Sequence, residues 1–116
     1  MPVWSVEGIT EQPQLTLVQW QVMCVPNGDR HFVGYATANR EGRASSAIRR
    51  FDVALLRGIT RSGRVYQLSG RPGWNSDAEY TWHRWAARDE VTDWTDVTAE
   101  VWSAHELAKR PGPEAR

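Results

Sequence analysis

The sequence predicts an α+β domain: an antiparallel sheet of four or five strands with two C-terminal helices packed on one face. Three observations lead there. The first two thirds of the chain alternate apolar and polar residues and are broken by Gly, Asn and Pro clusters, as short strands joined by turns are. After Ser69–Gly73 the period shifts toward that of a helix, with a capping signal before each periodic run. A length of 116 residues, 41% hydrophobic and 24% charged, is enough for one packed core and too short for two. A single domain over residues 1–110 is expected, followed by a flexible tail at 111–116 that opens on Pro111, Gly112 and Pro113.

Each element has a local reason. From Gln14 to Val25, period two puts Val18, Trp20, Val22 and Cys24 on one face and Gln19 and Gln21 on the other, which is a strand. Pro26–Asp29 is a turn, because Pro presets φ and Asn-Gly accepts positive φ; His31–Thr37 then resumes extended spacing. Asn39–Gly42 reads as a second turn, and Ala44–Phe51 as a third strand with Ala44, Ser46 and Ile48 on one side. Val65–Leu68 anchors a fourth. Before it, residues 59–64 suit a tight hairpin around Ser62 and Gly63, while Val53–Arg57 is open between an extended segment and a short helical turn.

Ser76 with Glu79 three residues on has the form of a capping box, and Ala78, Trp82, Trp85 and Ala86 form one stripe of a helix from Asp77 to about Asp89. A second helix starts at Asp96 or Thr98, carries Glu100 in its first turn and Val101, Trp102, His105 and Ala108 at helical spacing, and stops at Lys109 and Arg110.

Charge is informative only by segment. The net charge is zero, 14 basic residues against 14 acidic ones, which speaks against a wholly polyanion-binding surface. Between Arg30 and Arg71, however, nine arginines face only Glu41 and Asp52, a local +7; residues 1–29 carry −3 and residues 72–116 carry −4. All but one of the basic residues are Arg, whose planar fork pairs with carboxylate or phosphate and stacks on rings. Arg49, Arg50, Arg57, Arg61, Arg64 and Arg71, with Trp74 as a stacking neighbour, are therefore the candidate contacts to a partner or to nucleic acid. The alternative use of these charges is internal pairing with the acidic C-terminal helices. Seven of the aromatic residues are Trp, and most belong between sheet and helices, where large side chains fill the gap.

No motif dictates a reaction. Cys24 and His31 could form a thiolate pair across the turn, but a cysteine between Met23 and Val25 is an ordinary small core residue. His31, His83 and His105 lack metal-ligand spacing, the glycines of Ser69–Gly73 fit neither a P-loop nor a dinucleotide fold, and the carboxylate run Asp89, Glu90, Asp93, Asp96 and Glu100 reads as a solvated or capping segment. No catalytic residue, cofactor or metal is expected. A single cysteine forms no intrachain disulfide, the N-terminus lacks the pattern of a secretory signal, and no run approaches a membrane span, so a soluble cytoplasmic protein is expected.

The segments Glu41–Ile48, Thr60–Gly73, Asp77–Trp85 and Val91–Thr98 resemble those of short uncharacterised proteins, a domain of unknown function, of proteobacterial plasmids, prophages and integrated elements. The resemblance covers roughly residues 15–102 and transfers no site residue. It implies an accessory protein of a mobile element, a setting in which small proteins act by binding other macromolecules. The reading that emerges is a non-enzymatic protein-interaction module, partnered by another protein or by a second copy as a homodimer. The alternative is a nucleic-acid-binding protein that uses the Arg-rich segment 30–71.

Overall fold

The computed structural model describes residues 13–109; Trp4, the N-terminal residues and the tail expected at 111–116 lie outside them. The chain is α+β. Its elements are β1 (Gln14–Cys24), β2 (Arg30–Ala36), β3 (Glu41–Ala44), β4 (Ile48–Asp52), β5 (Arg57–Thr60), β6 (Val65–Leu68), α1 (Ser76–Arg88), β7 (Thr95–Asp96) and α2 (Thr98–Lys109). The sheet is mixed, in the order β3-β2-β1-β6-β5-β4, with β7 also pairing β1. It has more strands than the four or five expected, and one pairing, β1 with β6, is parallel.

β1 organises the fold. It pairs with β2 along most of its length, with β6 through Gln14–Leu17 and with β7 through Met23 and Cys24. A bulge interrupts the β1–β2 ladder between Val18 and Gln21, where Gln19 takes a left-handed φ of 47°. One extra residue reverses the pleat. Leu15 and Leu17 before the bulge thus face the same core as Trp20 and Val22 after it, and the expected stripe of Val18, Trp20, Val22 and Cys24 is broken at Val18, which turns to the other face and is half buried. Gly34 lies opposite the bulge, where a Cβ would come within 3.2 Å of Trp20 Cα.

Consecutive strand residues point to opposite faces, and both faces are covered. Val22 and Phe32 belong to one core with Leu15, Leu17, Trp20, Tyr66, Leu68 and Val101 of α2; Met23 and Val33 belong to a second with Ala78 and Trp82 of α1. The two helices therefore lie on opposite faces of the sheet, which corrects the expectation that they share one. The first core is the inside of a curl. β4 swings round toward β2, bringing Phe51 edge-on to Phe32 at 5.1 Å, while the Arg61 N–H donates to the Ala47 carbonyl at 2.7 Å and prolongs the β4–β5 pairing. Across the curl, Gly58 leaves room for the Phe32 ring, which any side chain there would strike. α2 then seats Trp102 against Trp20 and directs His105 Nδ1 to the Val53 carbonyl, 2.9 Å away.

Other local outcomes differ from expectation for identifiable reasons. The strand expected at Ala44–Phe51 is split into β3 and β4 at a corner, where Ser45 Oγ accepts the Phe32 N–H and donates to the Ser46 carbonyl. Residues 53–56 form the β4–β5 turn, with Leu56 at φ 55°, and the hairpin at Ser62 and Gly63 forms with Gly63 at φ 93°. Asn75, not Ser76, caps α1: its Oδ1 accepts the Ala78 N–H at 3.0 Å. Both candidate residues serve at the start of α2. Asp96 accepts the Thr98 N–H at 2.9 Å, and Thr98 Oγ1 accepts the Val22 N–H at 2.9 Å, which ties the helix start to β1.

Candidate functional site: a groove between β3 and α1

The structure disperses the arginines singled out from the sequence. Arg49 and Arg50 are exposed on β4; the β4–β5 register sets Arg50 beside Ile59 and Asp52 beside Arg57, so Arg50 and Arg57 share the outer surface of this hairpin with Asp52 between them. Arg57 donates to Gln67 at 3.0 Å. Arg61, in the β5–β6 turn, lies 3.5 Å from Asp29, Arg64 is 8% exposed, and Arg71 stands over the Trp102 ring at 5.7 Å. Trp74, 60% exposed, sits at the foot of α1 and donates its indole N–H to Glu79. They form no common track. One of the nine, Arg30, meets an acidic helix directly: it reaches Glu100 of α2 at 2.9 Å, and that hydrogen bond raises the guanidinium above its ordinary value.

What the fold does assemble is a groove of about 700 Å³ between α1 and the edge strand β3. Among the described residues β3 has a strand neighbour, β2, on one side only. The contiguous stretch Arg40–Ala44 lines one wall, and Asp77, Tyr80, Thr81, Arg84, Trp85 and Arg88 line the other. Gly42 makes the approach possible, because α1 passes so close that a Cβ there would strike the Asp77 carbonyl and the Ala78 nitrogen. The pleat gives the β3 side chains different roles. Gly42 and Ala44 face α1, whereas Glu41 and Arg43 face away and pair at 2.7 Å. Burial pulls the Arg43 guanidinium down, but hydrogen bonds and charge from Glu41 and Tyr66 outweigh it and hold it above its ordinary value. Arg43 thus lines the groove through its backbone.

The cationic rim consists of Arg40, at a left-handed φ of 54°, and of Arg84 and Arg88, one turn apart on α1. Arg84 lies over the exposed Tyr80 ring at 5.9 Å, and Arg88 is 3.7 Å from Asp89 at the solvent surface. Arg84, Arg88 and Tyr80 were not among the sequence-predicted contacts. Their signal was present as an i, i+4, i+8 row, masked by the negative total of the C-terminal third.

A stack of rings braces the groove from behind. Trp85 lies nearly parallel to Trp82, 4.8 Å away at 17°, and His31 packs against Trp85 at 4.5 Å while its Nδ1 is 2.9 Å from the Ser45 carbonyl. α1 is thereby fixed to β2 and to the β3–β4 corner. The Cys24–His31 pair is not assembled: Cys24 is opposite Arg30 and His31 is opposite Met23, so thiol and imidazole point to opposite faces. Among the described residues no group of three or more His, Cys, Asp or Glu side chains is gathered as a metal site, and no helix is long and apolar enough to cross a membrane. In comparisons with known proteins, no family model, curated protein or solved structure matches the chain.

Proposed function

We propose that this protein is a non-enzymatic interaction module that takes an extended acidic segment of a partner protein along β3, in the groove under α1. The observation that carries the reading is the coincidence of a strand edge with a cationic rim: Arg40–Ala44 form one wall, and Arg84 and Arg88 stand across from it. Strand addition supplies backbone hydrogen bonds, and side chains alternating along the added strand supply specificity. Guanidinium forks opposite that strand select carboxylates. Two arginines one helical turn apart match a short acidic stretch rather than a long polyanion.

Nucleic-acid binding is the second reading, favoured by the exposed Arg49, Arg50 and Arg57 at the β4–β5 hairpin. Asp52 interrupts that surface. A fluorescence-anisotropy titration separates the two. A labelled peptide of alternating Glu and Val should bind the full chain and lose about tenfold in affinity in Arg84→Glu or Arg88→Glu, a change of about 1.4 kcal/mol. A single-stranded oligonucleotide that binds more tightly than the peptide, and is released by Arg49→Glu with Arg50→Glu, would replace the first reading with the second.

A further inference from the structure

Single backbone groups define the free edge of β3. The N–H of Ser45, the residue after the strand, donates to the Phe32 carbonyl at 2.8 Å, so Ser45 turns toward β2. In an antiparallel ladder this orientation repeats at every second residue. Arg43 and Glu41 therefore turn toward β2 as well, and the N–H and C=O of Gly42 and Ala44 point outward. These four groups are what an added segment meets. Antiparallel addition satisfies all four with two residues, one opposite Gly42 and one opposite Ala44, separated by a third. Parallel addition spreads the same bonds over about five residues, more than the four of β3.

Side chains of directly opposed residues lie on the same face of a sheet. The two outer residues of an added triplet thus point at α1, as Gly42 and Ala44 do, while the middle one lies beside Glu41 and Arg43. That pair is already matched at 2.7 Å and leaves no charge to answer. The wall of α1 offers the outer positions different chemistry. The helix starts over Gly42, at Asp77, and reaches the far end of β3 at Trp85, which packs on His31 beside the Ser45 carbonyl. Helix and strand therefore advance in the same direction. At the Gly42 end stand the Asp77 carboxylate, which repels an acid, and the Tyr80 ring, 63% exposed, with the Arg84 guanidinium 5.9 Å from its centre. An aromatic side chain fits there. Toward Ala44 the wall has moved on by a turn, to Thr81, Arg84 and then Arg88, and an acid is drawn. We infer that the groove reads its segment in one direction, as an acidic residue followed two positions later by an aromatic one, added antiparallel to β3. The inference rests on the acidic-segment reading and adds an order to it.

The test is fluorescence anisotropy of the full chain with two labelled peptides that carry Glu-Thr-Phe or the reversed Phe-Thr-Glu in identical flanks, beside the alternating Glu-Val peptide. The forward order should bind about tenfold more tightly than the reversed one. Tyr80→Ala, at an exposed position, should reduce that ratio to about twofold and leave the alternating peptide within about twofold of wild type. In amide hydrogen exchange the forward peptide should slow Gly42 and Ala44 and leave Arg43, already bonded to β2, unchanged. Equal binding of the two orders, a Tyr80→Ala variant that keeps the full ratio, or protection at Arg43 in place of Gly42 and Ala44 would overturn the inference. If the alternating peptide still binds in those cases, the acidic-segment reading stands without the order. Binding by none of the three peptides overturns both.

Discussion

Gly42 of β3 lies directly beneath the Asp77 carbonyl of α1, with no space between them for a side chain. This contact sets the width of the groove. Gly42→Ala must push the helix away or distort β3, at a cost of about 1–3 kcal/mol typical of overpacking. Gly73→Ala is the control, since a Cβ there meets only ordinary contacts, the nearest at 3.6 Å from Gln19. Urea denaturation should show a lower midpoint for the first variant and little change for the second; equal midpoints would mean that α1 is not seated on Gly42.

The bulge at Gln19 holds the register of β1. Gln19 is the extra residue, so deleting it would give a regular ladder in which simple alternation keeps Leu15 and Leu17 on the same face as Trp20 and Val22, the core they share now. The deletion should therefore leave a cooperative transition and a native-like near-ultraviolet circular dichroism spectrum, whereas inserting a second residue beside Gln19 should abolish both. A shortened chain that loses its near-ultraviolet spectrum would show that β1 does not tolerate a regular ladder.

Two equally buried tryptophans differ in one bond. Trp20 donates its indole N–H to the Gly70 carbonyl at 3.0 Å, while the Trp82 indole nitrogen is buried with no hydrogen-bond partner among the described residues. Replacement by Phe removes similar bulk at each site but a hydrogen bond only at Trp20. Trp20→Phe is therefore expected to cost about 1 kcal/mol more than Trp82→Phe in equilibrium denaturation. The reverse order would contradict the assignment.

The capping residue of α1 is open to a simple comparison. Asn75→Ala should destabilise the protein by about 1 kcal/mol, and Ser76→Ala should change it by less, because Asn75 Oδ1 is the acceptor for the Ala78 N–H. A thermal melt of both variants distinguishes the cap that forms from the one the sequence suggested.

Much of the fold was legible from local pattern, and what escaped was nonlocal. Turn chemistry at Pro26–Asp29 and at Ser62–Gly63 located two hairpins, and helical spacing located α1 and α2 to within a residue or so. The parallel pairing of β1 with β6 joins residues just over fifty apart in the chain, Gln14 with Val65 for example, and nothing in either stretch specifies it. β7, two residues long, is a strand only because Met23 and Cys24 lie beside it. The distribution of the helices over two faces follows from consecutive apolar residues, Val22 and Met23 on β1 and Phe32 and Val33 on β2, which make both surfaces of the sheet apolar. The groove was hidden for a related reason: Arg40 belongs to the basic middle of the sequence, whereas Arg84 and Arg88 belong to a segment whose total charge is negative. Summing charge along the chain separates residues that the fold brings across from one another.

The central claim, that an acidic segment adds to the sheet at β3, is tested most directly by amide hydrogen exchange of the full chain with and without the alternating Glu-Val peptide. Slowed exchange concentrated at Glu41–Ala44 is expected, and it should be lost when Arg84→Glu and Arg88→Glu are combined. Peptide binding without added protection of β3, or protection at Arg49 and Arg50 of β4 in its place, would contradict it.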